Sequence, residues 1–476
     1  MSSRLLRAPG ARIALAVVAL GFTLVSGPAA AETKPTLPLQ GKDGARPNVL
    51  LLTVDTLRMD HLGAYGYRLP TSPAIDQLAG EGVLFTDAIT PVPMTAPALA
   101  SLLTGHHVQH HHVTQNTGTF PKGLSSLAEA FAEAGYDTAG FYGNEAVEEF
   151  GRGFDVWEEF PRRVVPGGLE MADDLGVNLG LAWLKQAKAP WFLWLHFIDP
   201  HGPYDSSPAR LSKAFEYPDD PALDKELETS EQNWVFGAVP KYQGLPNMKR
   251  AGDYVRRYDG EILGTDLQIG RLRSWLEEDG KLDDTLIVFT ADHGESLVED
   301  DYYFQHGKML NESSVRVPLV LRHRSLPAGS KVDAPVSLID LYPTLASLVG
   351  LTPPKSIPGV DVSASIFGAP AEERLRIMYT VTPDLRVSVM RGPWRMMGRP
   401  PKKNGGVQID EFPFVALYDV TTYPEQRVAA PAKSETVKEL KKELVDASKR
   451  VRSFRPPPVD LSKKQEDRLR ALGYID

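Results

Sequence analysis

Three stretches of the chain are apolar almost without interruption, and each stops at side chains that bind cations. Residues 48–54 run into Asp55, residues 191–197 into Asp199 and His201, and residues 286–290 into Asp292 and His293. Short, continuous apolar runs predict strands buried on both faces, as in parallel sheets. Between them, residues 124–134 and 261–278 carry apolar positions at helical spacing. Strands alternating with helices predict a layered α/β fold. In open parallel sheets ligands bind beyond the C-terminal strand ends, so the three polar termini predict one shared site at one sheet edge.

The remaining pattern is less regular. Residues 205–252 are polar and rich in proline and charge, and predict an excursion over the sheet edge, either a substrate lid or a plain surface insertion. Near residue 370 the chain turns loop-like, and the short runs 386–390 and 394–397 then suit a small antiparallel sheet. Val437, Leu440, Leu444, Ala447 and Val451 keep helical spacing in a basic, amphipathic segment. No internal repeat of solenoid length is present.

The N-terminus reads as an export signal. Arg4, Arg7 and Arg12 precede the apolar run 13–25, and Ala29, Ala30 and Ala31 fit a small-residue cleavage site. The run is shorter than the roughly 20 residues that span a bilayer, which favours cleavage over an uncleaved anchor. No adjacent arginine pair marks a twin-arginine route. We therefore expect a signal peptide at 1–31, a flexible leader at 32–46, a catalytic domain at 47–370 and a smaller C-terminal subdomain at 371–476. Export to the periplasm or the medium follows, with no stable membrane span after cleavage.

Composition narrows the chemistry. The 476 residues are 42% hydrophobic and 24% charged, as in an ordinary globular protein. The formal net charge of -9 gives no basic footprint for nucleic acid. The chain has no cysteine, which removes disulfides, thiolate metal sites and cysteine nucleophiles.

The ordered motifs resemble a known family. They begin with Arg46-Pro47-Asn48-Val49, Val54-Asp55-Thr56-Leu57-Arg58 and Gly63-Ala64-Tyr65-Gly66. Pro70-Thr71-Ser72-Pro73, Ser101-Leu102-Leu103-Thr104-Gly105 and Asp199-Pro200-His201-Gly202-Pro203-Tyr204 follow. Tyr258-Asp259-Gly260-Glu261, Thr290-Ala291-Asp292-His293-Gly294-Glu295, His306-Gly307, Arg316-Val317-Pro318-Leu319 and Leu472-Gly473-Tyr474 complete the series. Together they resemble the sulfatases of the alkaline-phosphatase-like superfamily across nearly the whole mature chain. The resemblance implies an α/β fold, an alkaline-phosphatase-like α/β/α sandwich with a mainly parallel central sheet. A small C-terminal antiparallel sheet and helix would be added to it. It also implies a small-molecule, glycan or lipid ester as substrate.

The same resemblance implies a divalent metal held by Asp55, Asp292, His293 and the nucleophile position, Thr95. Histidine at 293 stands where many single-calcium sulfatases have asparagine, and Thr56 replaces the usual second aspartate. An imidazole ligand suits zinc or manganese better than calcium. Asp199, His201 and His306 are candidates for a second ion. The alternative is one ion, with His201 and His306 serving as substrate ligands or general acid. Asn116 is a candidate for lining the pocket, and Lys308 stands one residue out of register with the family's sulfate-binding lysine.

Sulfatases place Cys or Ser before x-Pro-x-Arg and oxidise it to formylglycine. Here the segment is Thr95-Ala96-Pro97-Ala98-Leu99. The β-methyl of threonine prevents oxidation to an aldehyde, and the arginine is Leu99. Related phosphodiesterases, phosphonate hydrolases and phosphoethanolamine transferases use a threonine hydroxyl directly. Thr95 also stands at a predicted helix start, with Pro97 in the first turn, where an anionic group is favoured. The expected activity is thus metal-dependent hydrolysis of a phosphate ester, phosphonate or sulfate ester. A phosphoryl transferase and a non-catalytic binding protein on the same fold are the rivals. The dense tract His106, His107, His110, His111 and His112 is assigned no metal, His196 is expected as a hydrogen-bonded core residue, and Glu312 with Arg316 as an ion pair.

Overall fold

The computed structural model describes residues 38–452 apart from 118, 161–162, 166–167, 171, 206–208, 218, 381–384, 401–411, 413, 421–425 and 429–434, with scattered positions beyond 452. The expected signal peptide and the motif at 472–474 lie outside the described residues. The last part of the expected leader is not loose. Leu39 is buried and its N–H donates to the Leu348 carbonyl at 2.7 Å.

Eight strands form the main sheet: β1 (Asn48–Val54), β2 (Val83–Phe85), β3 (Asp137–Tyr142), β4 (Val156–Glu159), β5 (Trp191–Phe197), β6 (Thr285–Ala291), β7 (Leu319–Arg322) and β8 (Ser330–Val332). Their order is β8-β2-β7-β6-β1-β5-β3-β4. The pairs of β1 with β5 and β6, and of β3 with β5 and β4, are parallel; β7 runs antiparallel to β6 and β2. Every residue of β1, β5 and β6 is buried, which is why those runs carry no polar alternation.

These three strands are also neighbours, so their ends open onto one edge. The ladder continues past them. Asp55 N–H donates to the Phe197 carbonyl at 3.0 Å and Asp292 N–H to the Val54 carbonyl at 3.4 Å. Both aspartates therefore start from fixed main chain.

The helices pack as two groups. Helix α1 (Pro73–Glu81) and α4 (Ala172–Leu184) lie against the long α5 (Ala251–Glu278). Helix α2 (Thr95–Thr104) contacts α3 (Leu127–Glu133) and α6 (Leu341–Val349). The strand-and-helix alternation read from the sequence is thus the observed architecture. The second sheet is antiparallel, of β9 (Arg376–Tyr379), β10 (Val387–Arg391), β11 (Trp394–Arg399), β12 (Phe414–Asp419) and β13 (Gln426–Val428) in that order. Helix α7 (Glu435–Arg452) covers it, contributing Val437, Leu440, Leu444 and Ala447 to a separate core with Val387, Val389 and Met396.

Candidate active site

Thr95 is the first residue of α2, and Met94, not Thr95, is the capping residue. A helix N-terminus exposes N–H groups that need acceptors. One is met from a distance: Asn116 Oδ1 accepts from Ala96 N–H at 2.9 Å. Asn116 Nδ2 is buried with no hydrogen-bond partner. Thr95 is wholly buried, and its Oγ1 lies 3.4 Å from His293 Nε2.

His293 holds that orientation because Nδ1 faces the Gly294 carbonyl at 2.9 Å. The turn requires glycine at 294, where an added Cβ would stand 1.9 Å from the Ser313 carbonyl oxygen. Asp292 Oδ1 accepts from two main-chain donors, His293 N–H at 2.7 Å and Thr56 N–H at 3.2 Å. Thr56 presents its N–H from a left-handed backbone (φ 55) that disfavours a β-branched side chain. Tyr258 helps hold the loop by donating to the Thr56 carbonyl at 2.7 Å. The position of the missing second aspartate thus serves through its main chain.

Asp55 completes the centre. Its Oδ1 lies 3.9 Å from His293 Nε2 and is buried without a hydrogen-bond partner. Its Oδ2 accepts from Asn144 Nδ2. Burial first, and then the neighbouring Asp292 carboxylate, push the Asp55 carboxyl well above the usual range. Burial likewise pushes Asp292 up to about 8 and His293 down to about 4. Two dry carboxylates and an imidazole that each resist charge separately are the donors a divalent cation satisfies together.

Among the described residues, Asp55, Asp292 and His293 are the one group of three acidic or histidine side chains whose ligand atoms lie within 4.8 Å of one another. These residues fit a metal ion. Asp199, His201 and His306 are not gathered into a second such set. All three are buried, and the His201 and His306 rings lie 5.2 Å apart. His306 stands 4.5 Å from the His293 ring and so borders the centre, and His201 packs against His306.

The other sequence candidates divide. Lys308 Nζ lies 4.9 Å above the Trp234 ring, so the 205–252 excursion does reach the loop that carries His306. Gln305 clamps that contact, accepting from Val235 N–H at 3.1 Å and donating to the Val235 carbonyl at 2.7 Å. His111 is structural: Nε2 meets Ser101 Oγ at 2.9 Å and Nδ1 accepts from Val113 N–H at 3.1 Å. His196 bonds Thr53 Oγ1 through Nδ1 at 2.9 Å, as expected of a core histidine, while its Nε2 stands 3.9 Å from Asp55 Oδ2. Glu312 and Arg316 pair as expected, and buried Arg395 joins them.

Two residues were missed. Asn144 follows the end of β3, so the strand-end rule that found Asp55 applied to it as well. Glu295 was visible within its motif, but its contact with His306 Nδ1 at 3.1 Å appears only when two loops meet.

The fold places the chain in the alkaline-phosphatase-like class. A model of the Sulfatase family matches residues 47–351, and the chain belongs to that family. It is a sulfatase-family hydrolase. It is 25% identical over 398 residues to an ulvan-active sulfatase of Formosa agariphila, covering 76% of this chain and 73% of that protein. It is 26% identical to the multifunctional alkaline phosphatase superfamily protein PehA of Trinickia caryophylli, covering 70% of this chain and 80% of that protein. Among solved structures, one in complex with its substrate D-glucosamine-2-N,6-O-disulfate aligns with a TM-score of 0.70 at 20% identity, over 86% of this chain and 99% of the other. The phosphonate monoester hydrolase of Agrobacterium radiobacter aligns with a TM-score of 0.66 at 22% identity, over 86% and 96%.

Proposed function

We propose that this chain is an exported, metal-dependent hydrolase that opens phosphate esters, phosphonates or, more slowly, sulfate esters with the Thr95 hydroxyl as nucleophile. The observation that carries the reading is the placement of Thr95 Oγ1 at a helix N-terminus, 3.4 Å from His293 Nε2 in the Asp55–Asp292–His293 set. Asp55, Asp292 and His293 would hold the ion, and two carboxylates with one imidazole favour zinc or manganese over calcium. Bound there, a divalent ion supplies a lowered hydroxyl pKa and neutralises charge on the ester.

The chain's own residues do the rest. Thr95 Oγ attacks phosphorus, the bond to the leaving oxygen breaks, and the hydroxyl proton passes to a neighbouring base. The N–H groups at the start of α2 and the Asn116 amide offer donors to the oxygens of the transferred group. Water then cleaves the threonine ester. A sulfate ester of threonine lacks the release route that the aldehyde hydrate gives formylglycine sulfatases, so phosphorus substrates are favoured. The relatives' sulfated sugars make ring-bearing esters the first substrates to try. The apolar run at 13–25 supports export, and the mature chain would begin near Glu32.

The test compares 4-nitrophenyl phosphate, phenylphosphonate and sulfate on the parent and two variants. Thr95→Ala should remove nearly all turnover, by several powers of ten, while Thr95→Ser should keep a part. Peptide mass spectrometry should find Thr95 unmodified in the resting protein. Faster sulfate than phosphorus hydrolysis, or an active Thr95→Ala, contradicts the assignment.

A further inference from the structure

Glu295 takes no part in the chemistry described so far, yet it is wholly buried beside the site. Its two oxygens are divided between two loops. Oε1 lies 3.1 Å from His306 Nδ1, and Oε2 accepts from the Tyr204 hydroxyl at 3.1 Å. Its main chain is fixed as well, since Arg58 donates to the Glu295 carbonyl at 3.2 Å.

As a carboxylate, Glu295 has only lone pairs to offer, and the imidazole nitrogen facing it then carries the proton. In neutral His306 the lone pair is then on Nε2, on the far side of the ring. That ring lies 4.5 Å from the His293 ring and 5.2 Å from the His201 ring, and Thr95 Oγ1 lies 3.4 Å from His293 Nε2. Tyr204 closes the segment that supplies His201. His201 in turn faces the Gly202 carbonyl through Nδ1 at 2.8 Å. One carboxylate therefore sets the ring of His306 and ties the His201 segment to the strand end that supplies Asp292 and His293.

We propose that Glu295 is a positioning residue that fixes His306 in its Nδ1–H form and aims the Nε2 lone pair at the water that releases the product. This rests on the Thr95 reading, because the released bond is the threonine ester. In that step water loses a proton to His306 Nε2 and its oxygen bonds to phosphorus. The bond from phosphorus to Thr95 Oγ breaks, and the proton on His306 passes to Thr95 Oγ. Atoms and charge balance without a further reagent, and His306 is ready for another cycle.

The experiment uses the metal-loaded protein, 4-nitrophenyl phosphate and rapid mixing, with Glu295→Gln as the variant. Gln keeps the size but removes the charge. The expected result is an intact burst of one nitrophenolate per chain, followed by a steady rate lowered roughly tenfold to a hundredfold. KM falls with kcat, because the covalent ester accumulates. Nitrogen-labelled histidine spectra give a readout independent of turnover: His306 is the Nδ1–H form in the parent and a mixture in the variant. A steady rate within threefold of the parent, or burst and steady rate lost together in a folded variant, overturns the proposal. So does an Nε2–H form of His306 in the parent, which decides the matter even if Glu295→Gln does not fold. Failure of the Thr95 reading looks different: no burst in the parent, with Thr95→Ala still active.

Discussion

His323 shows how much a single buried side chain contributes at this scale. It follows β7, is almost fully buried, and accepts from Ser325 N–H through Nδ1 at 3.2 Å. Burial lowers its pKa to about 4, against an ordinary 6.5. A depressed folded value means that the neutral ring's stabilising share is present above pH 6.5 and is lost as pH falls through 4. The loss is on the order of 3 kcal/mol, since each pKa unit between 6.5 and about 4 corresponds to about 1.4 kcal/mol. Thermal unfolding of His323→Leu should therefore fall less between pH 7 and pH 4.5 than that of the parent; equal falls would contradict the assignment. At this scale the sequence was most readable where a residue's role depends on its own strand or helix. Asp55, Asp292 and His293 follow strand ends that the apolar runs marked, whereas Thr95 was singled out by the family motif it occupies. Asn144 also follows a strand end, but its contact with Asp55, like that of the Thr56 N–H with Asp292, joins residues more than 80 positions apart. Glu295 meets His306 only where two loops fold together, so these contacts left no mark in the spacing.

Among the elements, the second sheet is tied to the body by arginines. Arg395 of β11 meets Glu312, Arg376 of β9 meets Asp87 at 2.6 Å, and nearby Arg374 meets Asp340. Arg395 and Glu312 are both buried, so removing Arg395 leaves Glu312 with Arg316 as its partner in a dry place. Arg395→Met should cost about 1.5–3 kcal/mol in urea unfolding, the range for a hydrogen bond to a charged group, and adding Glu312→Gln should recover part of it. A cost under about 0.5 kcal/mol would show that Arg316 alone satisfies Glu312. The antiparallel sheet and the amphipathic helix were legible as patterns, but these cross-links were not. Helix α5 shows a different limit. Its spacing was read from 261, yet it begins at Ala251. Gly252 and Gly260 weaken the helical signal, and packing supplies what propensity lacks: a Cβ at 260 would stand 2.8 Å from Ser212 N. Helix α3 starts at Leu127 rather than 124, because Ser126 and Glu129 form a capping box there.

For the molecule as a whole, the metal and the nucleophile form one claim. A bound ion stabilises the folded chain, so chelation should lower the melting temperature, and zinc or manganese should restore both stability and activity. Calcium alone restoring both would contradict the donor argument. Elemental analysis should give one ion per chain, because only the Asp55–Asp292–His293 set is gathered among the described residues. Among these residues no helix is long and apolar enough to cross a membrane. The layered fold was readable because β1, β5 and β6 are buried along their full length and so show as unbroken apolar runs. The lacing of the 205–252 excursion to the His306 loop was not, since it runs through main-chain atoms and the Gln305 amide. The most direct test of the central claim is an acid quench during turnover of 4-nitrophenyl phosphate, followed by peptide mass spectrometry. The account predicts one phosphoryl group on Thr95, absent without substrate and absent in Thr95→Ala. A phosphoryl group on another residue, or steady turnover by Thr95→Ala at the parent rate, would contradict it.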